Sequence, residues 1–128
     1  MGTPMLYAAS TIALACLETI VHLDGTVSLP LNRYLVRLDV PEDMWQTATT
    51  LDPVAHVGWD ALPFGRVSID WGTRWCDAMT SVLAQVPSVV VPEEFNVLIN
   101  TRHPDMANVK AIKVRKWNYD PRALGRKV

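Results

Sequence analysis

The chain has 128 residues, 49% of them hydrophobic and 20% charged, with Lys plus Arg at 12 against Asp plus Glu at 13. That length fits one domain of the usual ~100–150 residues, and the apolar share excludes a compositionally disordered chain. A formal charge of -1 argues against a dedicated nucleic-acid binder, which carries a basic excess.

In chain order, Met5 to Ala8 reads as a short buried strand. Ser10 or Thr11 can cap a helix running to about Leu23, with Asp24-Gly25 ending it, since Gly permits the left-handed terminal conformation. Ile12, Leu14, Leu17, Ile20 and Val21 cover more than one stripe of that helix, which predicts cover on several faces. The longest apolar run, Ile12 to Leu17, has six residues, too few for a membrane span of ~20. Neither a signal peptide nor a transmembrane segment is expected, so the chain reads as soluble and cytoplasmic.

Asn32 to Val40 alternates and reads as a strand, and Pro41-Glu42-Asp43 opens a short helix through Trp45. Residues 47–66 hold Pro53, Gly58, Pro63 and Gly65 and read mostly as loop. Trp71, Trp75, Ala78, Met79 and Val82 recur at helical spacing, predicting a helix from about Ile69 to Gln85. Ser88 to Val91 is expected to be a strand boxed by Pro87 and Pro92, and Phe95 to Ile99 another. His103-Pro104-Asp105 starts a helical turn, and Lys110 to Trp117 alternates as a last strand. The pattern is α/β, of the α+β type, in one domain over 1–128.

The last 19 residues carry seven of the 12 basic residues. Either they form a phosphate-facing patch, or Lys113 and Arg115 guard a solvated edge strand. Cys16 and Cys76 are the only cysteines, with no CxxC and no paired histidines, so neither a disulfide framework nor a metal site is expected. Cys16 reads as core packing.

Phosphate loops, GxGxxG, HExxH and GxSxG are absent. Glu18 is the sharpest feature, because it is the only acid between Met1 and Leu23. A carboxylate in a buried helix must find a hydrogen-bonding or cationic partner, or become neutral. Its other reading is a solvent-facing strip shared with Thr11 and His22. His22 sits near the helix C-terminus, and neither His56 nor His103 has a ligand at metal spacing. Ser88, without an elbow or a base, reads as a hydrogen-bond donor to a ligand or to backbone. Asn96 and Asn100 need partners if buried, and turn chemistry explains Asn100 equally well.

These residues carry a resemblance. GTPMLYAASTIALACLETIVHL (2–23) resembles the opening helix region of RES-domain proteins, VPSVVVPEEFNVLINTRHPD (86–105) their second block, and YDPRAL (119–124) their close. Three ordered blocks make a fairly specific match over nearly the whole chain, poorest at 47–66. The resemblance implies a fold of the ADP-ribosyltransferase type, with small mixed and antiparallel sheets flanked by helices. It implies the toxin of a bacterial toxin–antitoxin pair, an enzyme that cleaves NAD by hydrolysis or phosphorolysis. An Xre-type antitoxin would be the partner, in a hetero-oligomer, with neither nucleic acid nor membrane bound directly.

The family's glutamate falls on Glu18, its serine on Ser88, its site tyrosine on Tyr7 and a second-block asparagine on Asn96. The resemblance makes Glu18, Tyr7 and Ser88 catalytic, and Tyr7, Ser88 and Asn96 binding residues. No cofactor is expected beyond NAD as substrate, with inorganic phosphate as an alternative acceptor. The family's arginine belongs upstream of Gly-Thr-Pro, ahead of Met1, and Asn100-Thr101 stands where the family has Asn-Pro. Met1 is therefore expected to be an internal methionine; a decayed toxin, or an arginine supplied from elsewhere, is the alternative. Arg33, Arg37 and Arg74 are candidates for that arginine, and the sequence does not choose among them. The rival functions are an inactive partner that binds the antitoxin and a protein ADP-ribosyltransferase.

Overall fold

The computed structural model describes residues 5–22, 32–60 and 66–124. Strand β1 (Met5–Ala9) leads into helix α1 (Ile12–His22), then β2 (Arg33–Asp39), α2 (Glu42–Gln46) and the two-residue β3 (Thr49–Thr50). Helix α3 (Arg66–Ala78), β4 (Leu83–Pro87), β5 (Phe95–Asn100) and β6 (Lys110–Trp117) follow, with 3-10 turns at Pro104–Asn108 and Pro121–Leu124. The sheet order β1-β5-β4-β3 is antiparallel except for the β3–β4 pair, and β2 pairs with β6 in a separate antiparallel ribbon. This is an α+β fold.

The central strands β4 and β5 are buried because both of their faces are apolar. Ala84 and Leu98 lie opposite one another in the register and pack with Trp71, Trp75 and Cys76 of α3. Leu83 and Ile99, also opposite, point the other way, toward Met44 of α2 and Leu38 of β2. Fully burying a side chain of this size stabilises by about 1.5–3 kcal/mol. Helix α3 and the β2–β6 ribbon therefore sandwich the sheet.

Several expectations need correcting. The helix expected over 69–85 ends at Ala78, and residues 83–87 are the central strand β4. Met79 adopts the left-handed conformation at φ 57°, and the buried Asn100 amide donates to the Cys76 carbonyl at 3.0 Å. Val82 kept the helical spacing only by coincidence. Residues 88–91 are not a strand either, because the Ser88 hydroxyl takes the Val90 and Val91 amides out of any ladder. β1 is an edge strand and not a buried one, with Leu6 and Tyr7 exposed. Helix α1 buries Leu14 but leaves Ile12 and Val21 exposed, so it is not covered on several faces. Cys16 is half-buried outside the core, whereas Cys76 is fully buried.

Other expectations hold. The Thr11 hydroxyl caps α1 by accepting from the Leu14 amide at 3.1 Å. β2, α2, β5 and β6 lie where the sequence puts them, and the His103 ring caps the 3-10 turn by accepting from the Asp105 amide. The expected end of α1 at Leu23 and Asp24-Gly25 lies outside the described residues, as does most of the stretch around Pro63 and Gly65. The described part of the 47–66 loop includes β3, which pairs with β4 through Thr49 and Thr50.

The YDPRAL segment is a small clasp. Asp120 accepts from the Arg122 amide at 2.9 Å and from its guanidinium at 2.7 Å. The Arg122 side chain, then its amide, holds the Asp120 carboxyl down to about 2. A depressed carboxylate stabilises above the ordinary range and loses that contribution as pH falls toward the depressed value. An NMR titration of Asp120 should therefore show a midpoint of about 2, moving upward in Arg122→Ala. A midpoint at the ordinary value of 3.8 in the unaltered chain would contradict the clasp.

Candidate functional site

The site is built where β4 ends, β5 begins and α1 leaves β1. On α1, Thr11, Leu14 and Glu18 share a face, as their spacing requires. That face turns toward the β4–β5 connection. Glu18 Oε1 accepts from Ser88 Oγ at 2.6 Å and from Asn96 Nδ2 at 3.0 Å. The half-buried carboxylate thus has the hydrogen-bonding partners that its place in an apolar helix demands. The solvent-strip reading of Glu18 is set aside by these two contacts, although Thr11 does share its face.

Ser88 is fully buried, and all of its hydroxyl's capacity is used. Its oxygen accepts from the amides of Val90 at 3.1 Å and Val91 at 3.0 Å. A hydroxyl has two lone pairs and one proton, so that proton goes to Glu18. The local cause is the bend after Pro87: a serine hydroxyl bonding amides two and three residues on replaces the ladder that the strand would have offered. Sequence reasoning anticipated a donor to ligand or backbone; the hydroxyl donates instead to Glu18.

Asn96 projects from the same sheet face as Tyr7. The register sets Ala9 opposite Asn96 and Tyr7 opposite Leu98, so Tyr7 stands one same-face position along the neighbouring strand. Tyr7 is 76% exposed, and its hydroxyl makes no hydrogen bond with a described residue. It borders the Glu18 cluster without being part of it. The structure therefore brings together Glu18, Ser88 and Asn96, and leaves the Tyr7 ring free to meet a ligand.

Glu94 went unnoticed in the sequence. Its side chain accepts from the Thr11 hydroxyl at 3.3 Å, and its carbonyl accepts from the Ser88 amide at 2.8 Å. The same loop is thus fastened to the start of α1 and to Ser88. An acid in the polar run Pro92-Glu93-Glu94 carries no signal that would have singled it out.

The three arginines separate in space. Arg37 is tied to Asp39 at 2.8 Å, Arg74 is exposed on α3, and Arg33 lines a groove against α1. Asn100 is buried structure, bonded to the Cys76 carbonyl and to the Arg102 amide. The His56 ring bonds the Asp52 carbonyl at 2.9 Å and meets Trp71 edge-on. Among the described residues, no group of three His, Cys, Asp or Glu side chains could hold a metal ion. No described helix is long and apolar enough to cross a membrane.

An apolar α+β scaffold holding a tethered glutamate at the mouth of a sheet is the class this geometry defines. The profile of the RES domain matches residues 1–122, and the chain belongs to the RES domain family. It is 54% identical over 125 residues to the Prs ADP-ribosylating toxin of Sphingobium sp., covering 97% of this chain and 77% of that protein. It is 33% identical over 122 residues to Toxin Res of Pseudomonas putida, covering 94% and 80%. Toxin Res of Yersinia enterocolitica is 29% identical over 122 residues, covering 94% and 78%.

The saturated Ser88 hydroxyl has a measurable consequence. Ser88→Ala removes three hydrogen bonds, and leaving the two part-buried amides of Val90 and Val91 unpaired costs about 1 kcal/mol each, the low end of the range for an unsatisfied donor. Urea unfolding should show a loss of about 2 kcal/mol, with faster amide exchange at Val90 and Val91. Unchanged stability and unchanged exchange at those two amides would show that the hydroxyl does not hold the bend.

Proposed function

We propose that this chain is a toxin that breaks the nicotinamide–ribose bond of NAD, with Glu18 as the working carboxylate. The observation that supports this is the division of the carboxylate itself. Ser88 and Asn96 both donate to Oε1, and Oε2 takes no further bond from a described residue. One oxygen fixes the group, and the other is available to a substrate. Membership of a family that includes named toxins supports placing the reaction there.

In this reading the C1′–N bond breaks with its electron pair going to the nicotinamide nitrogen, which leaves as a neutral base. Positive charge passes to the ribosyl ring, giving an oxocarbenium-like transition state. A fixed negative charge beside that ring is worth most in the transition state, because the ring is more cationic there than in the bound dinucleotide. Glu18 supplies the charge and orients the ribose hydroxyls through Oε2. The Tyr7 ring meets the nicotinamide riboside end. Asn96 and Ser88 act through Glu18 and not on the substrate, since Ser88 has no free lone pair or proton to offer. The acceptor then bonds C1′ and loses its proton to solvent.

The acceptor is a protein side chain in the reading that the 54% identity to a Prs ADP-ribosylating toxin favours. Water and inorganic phosphate are the competing acceptors and would deplete free NAD instead. An Xre-type antitoxin that covers the site is the partner this function calls for; similarity to proteins named as toxins supports an antitoxin as partner in general.

Glu18→Gln keeps the shape and an amide oxygen for Ser88 and Asn96 while removing the charge. With labelled NAD, nicotinamide release should fall by about 10²-fold or more with the fold unchanged by circular dichroism. Label retained on a protein identifies transfer, free ADP-ribose identifies hydrolysis, and ADP-ribose 1″-phosphate identifies phosphorolysis. Undiminished release by Glu18→Gln would overturn the assignment.

A further inference from the structure

The surplus of basic residues at the end of the chain has no part in the Glu18 cluster, and the structure gathers much of it on the β2–β6 ribbon. Arg33, Arg37, Lys110, Lys113, Arg115 and Lys116 stand on those two strands, with Asp39 as their only acid. The whole chain has a formal charge of -1, so the remainder of it is acidic on balance and the ribbon stands out in sign. Asp39 lies opposite Lys110 in the register, but both of its carboxylate oxygens are taken by Arg37. Lys110, Lys113, Arg115 and Lys116 form no ion pair with a described residue.

Strand β6 is exposed from Lys110 to Lys116, with Trp117 half-buried. Among the described residues it pairs with β2 alone, so its other edge carries unpaired amides and carbonyls. Ile112 and Val114 are exposed apolar side chains set between the cations. The Val36–Lys113 and Leu35–Arg115 pairs leave Val114 as an extra residue, a bulge that ends the straight run at Lys110–Lys113. Within that run the side chains alternate, Lys110 and Ile112 on one face, Ala111 and Lys113 on the other.

Lysines and a bulge on an edge strand deter pairing with another strand. They deter selectively, because a cation repels a basic neighbour across the ladder and attracts an acidic one. A nucleic acid fits the ribbon less well than a peptide does. Lys113 Nζ already lies 4.2 Å from the centre of the Tyr34 ring, and the Arg115 guanidinium 4.7 Å from that of Trp117. Unpaired bases need bare aromatic faces on which to stack, and these two rings are occupied. Free backbone groups beside aliphatic side chains suit an extended peptide instead.

We infer that β6 docks an acidic, extended segment of a partner protein, added as a strand along its free edge from Lys110 to Lys113. Acids of the partner stand opposite Lys110 and Lys113, and aliphatic residues opposite Ala111 and Ile112. Arg115 and Lys116 supply a field that draws the segment in. The surface uses no residue of the Glu18 cluster and does not rest on the NAD reading.

NMR titration of the chain with an end-capped Thr-Glu-Val-Val-Glu-Thr peptide tests this directly. The amides of Lys110 to Lys113 should shift, and added salt should weaken the binding. The same peptide with Lys in place of Glu should leave those amides unmoved. Lys113→Glu, at an exposed position, should weaken the acidic peptide by about fivefold or more, with the spectrum away from the ribbon unchanged. N-methylation of both valines keeps the charge and blocks strand pairing, so it should abolish the shifts. Unmoved amides at Lys110 to Lys113, equal binding of the lysine peptide, an unaltered affinity in Lys113→Glu, or undiminished binding of the N-methylated peptide would each overturn strand docking. Tighter binding of an RNA or DNA oligonucleotide than of the acidic peptide, lost in Lys113→Glu, would replace it with a nucleic-acid surface.

Discussion

The hydrogen bond from Ser88 to Glu18 joins positions 70 residues apart, and the arrangement around the site depends on it. Helix α1 buries only Leu14 to the full extent, so its apolar contacts alone do not fix where it lies. The Glu18 carboxylate ties the helix to the β4–β5 connection on one side, and the Thr11 to Glu94 contact fastens its first turn to the same connection. A carboxylate half withdrawn from water is costly unless its donors are in place. The donors are in place because β4 and β5 are the best-buried strands, carrying Leu83, Ala84, Val97 and Ile99.

Rigid strands thus hold the donors, the donors hold the carboxylate, and the carboxylate holds the helix. Ser88 is the pivot of that chain. Its oxygen is filled by the Val90 and Val91 amides, which turns its proton toward Glu18 and shapes the bend at the same time. A serine in that state is a poor nucleophile and a poor ligand, and a good support. The groups open to a ligand are different ones: the unbonded Oε2 of Glu18 and the exposed Tyr7 ring.

Much of this was readable from the residues, for reasons that differ from place to place. The Thr11 cap and the strands at 33–39, 95–100 and 110–117 follow local rules of capping and alternation, which survive packing. The spacing of Glu18 identified an acid in apolar company, and the family resemblance pointed to Ser88 and Asn96 as its companions. What failed was long-range. The helix through α3 overran because its end is set by Asn100, a residue 24 positions from the carbonyl it binds, and by a left-handed Met79 that no propensity predicts. The strand expected at 88–91 failed because a side chain took the amides that a ladder would have used. Pairing of Arg37 with Asp39, and the placing of Arg33 against α1, lie beyond any one-dimensional pattern.

The most direct test is nicotinamide release, followed by chromatography, when the unaltered chain is incubated with NAD and a bacterial protein extract. A Glu18 held by Ser88 and Asn96 for this purpose predicts nicotinamide in equal amounts with the sum of transferred, free and phosphate-bonded ADP-ribose. Intact NAD beside a folded chain that binds it would contradict the central claim.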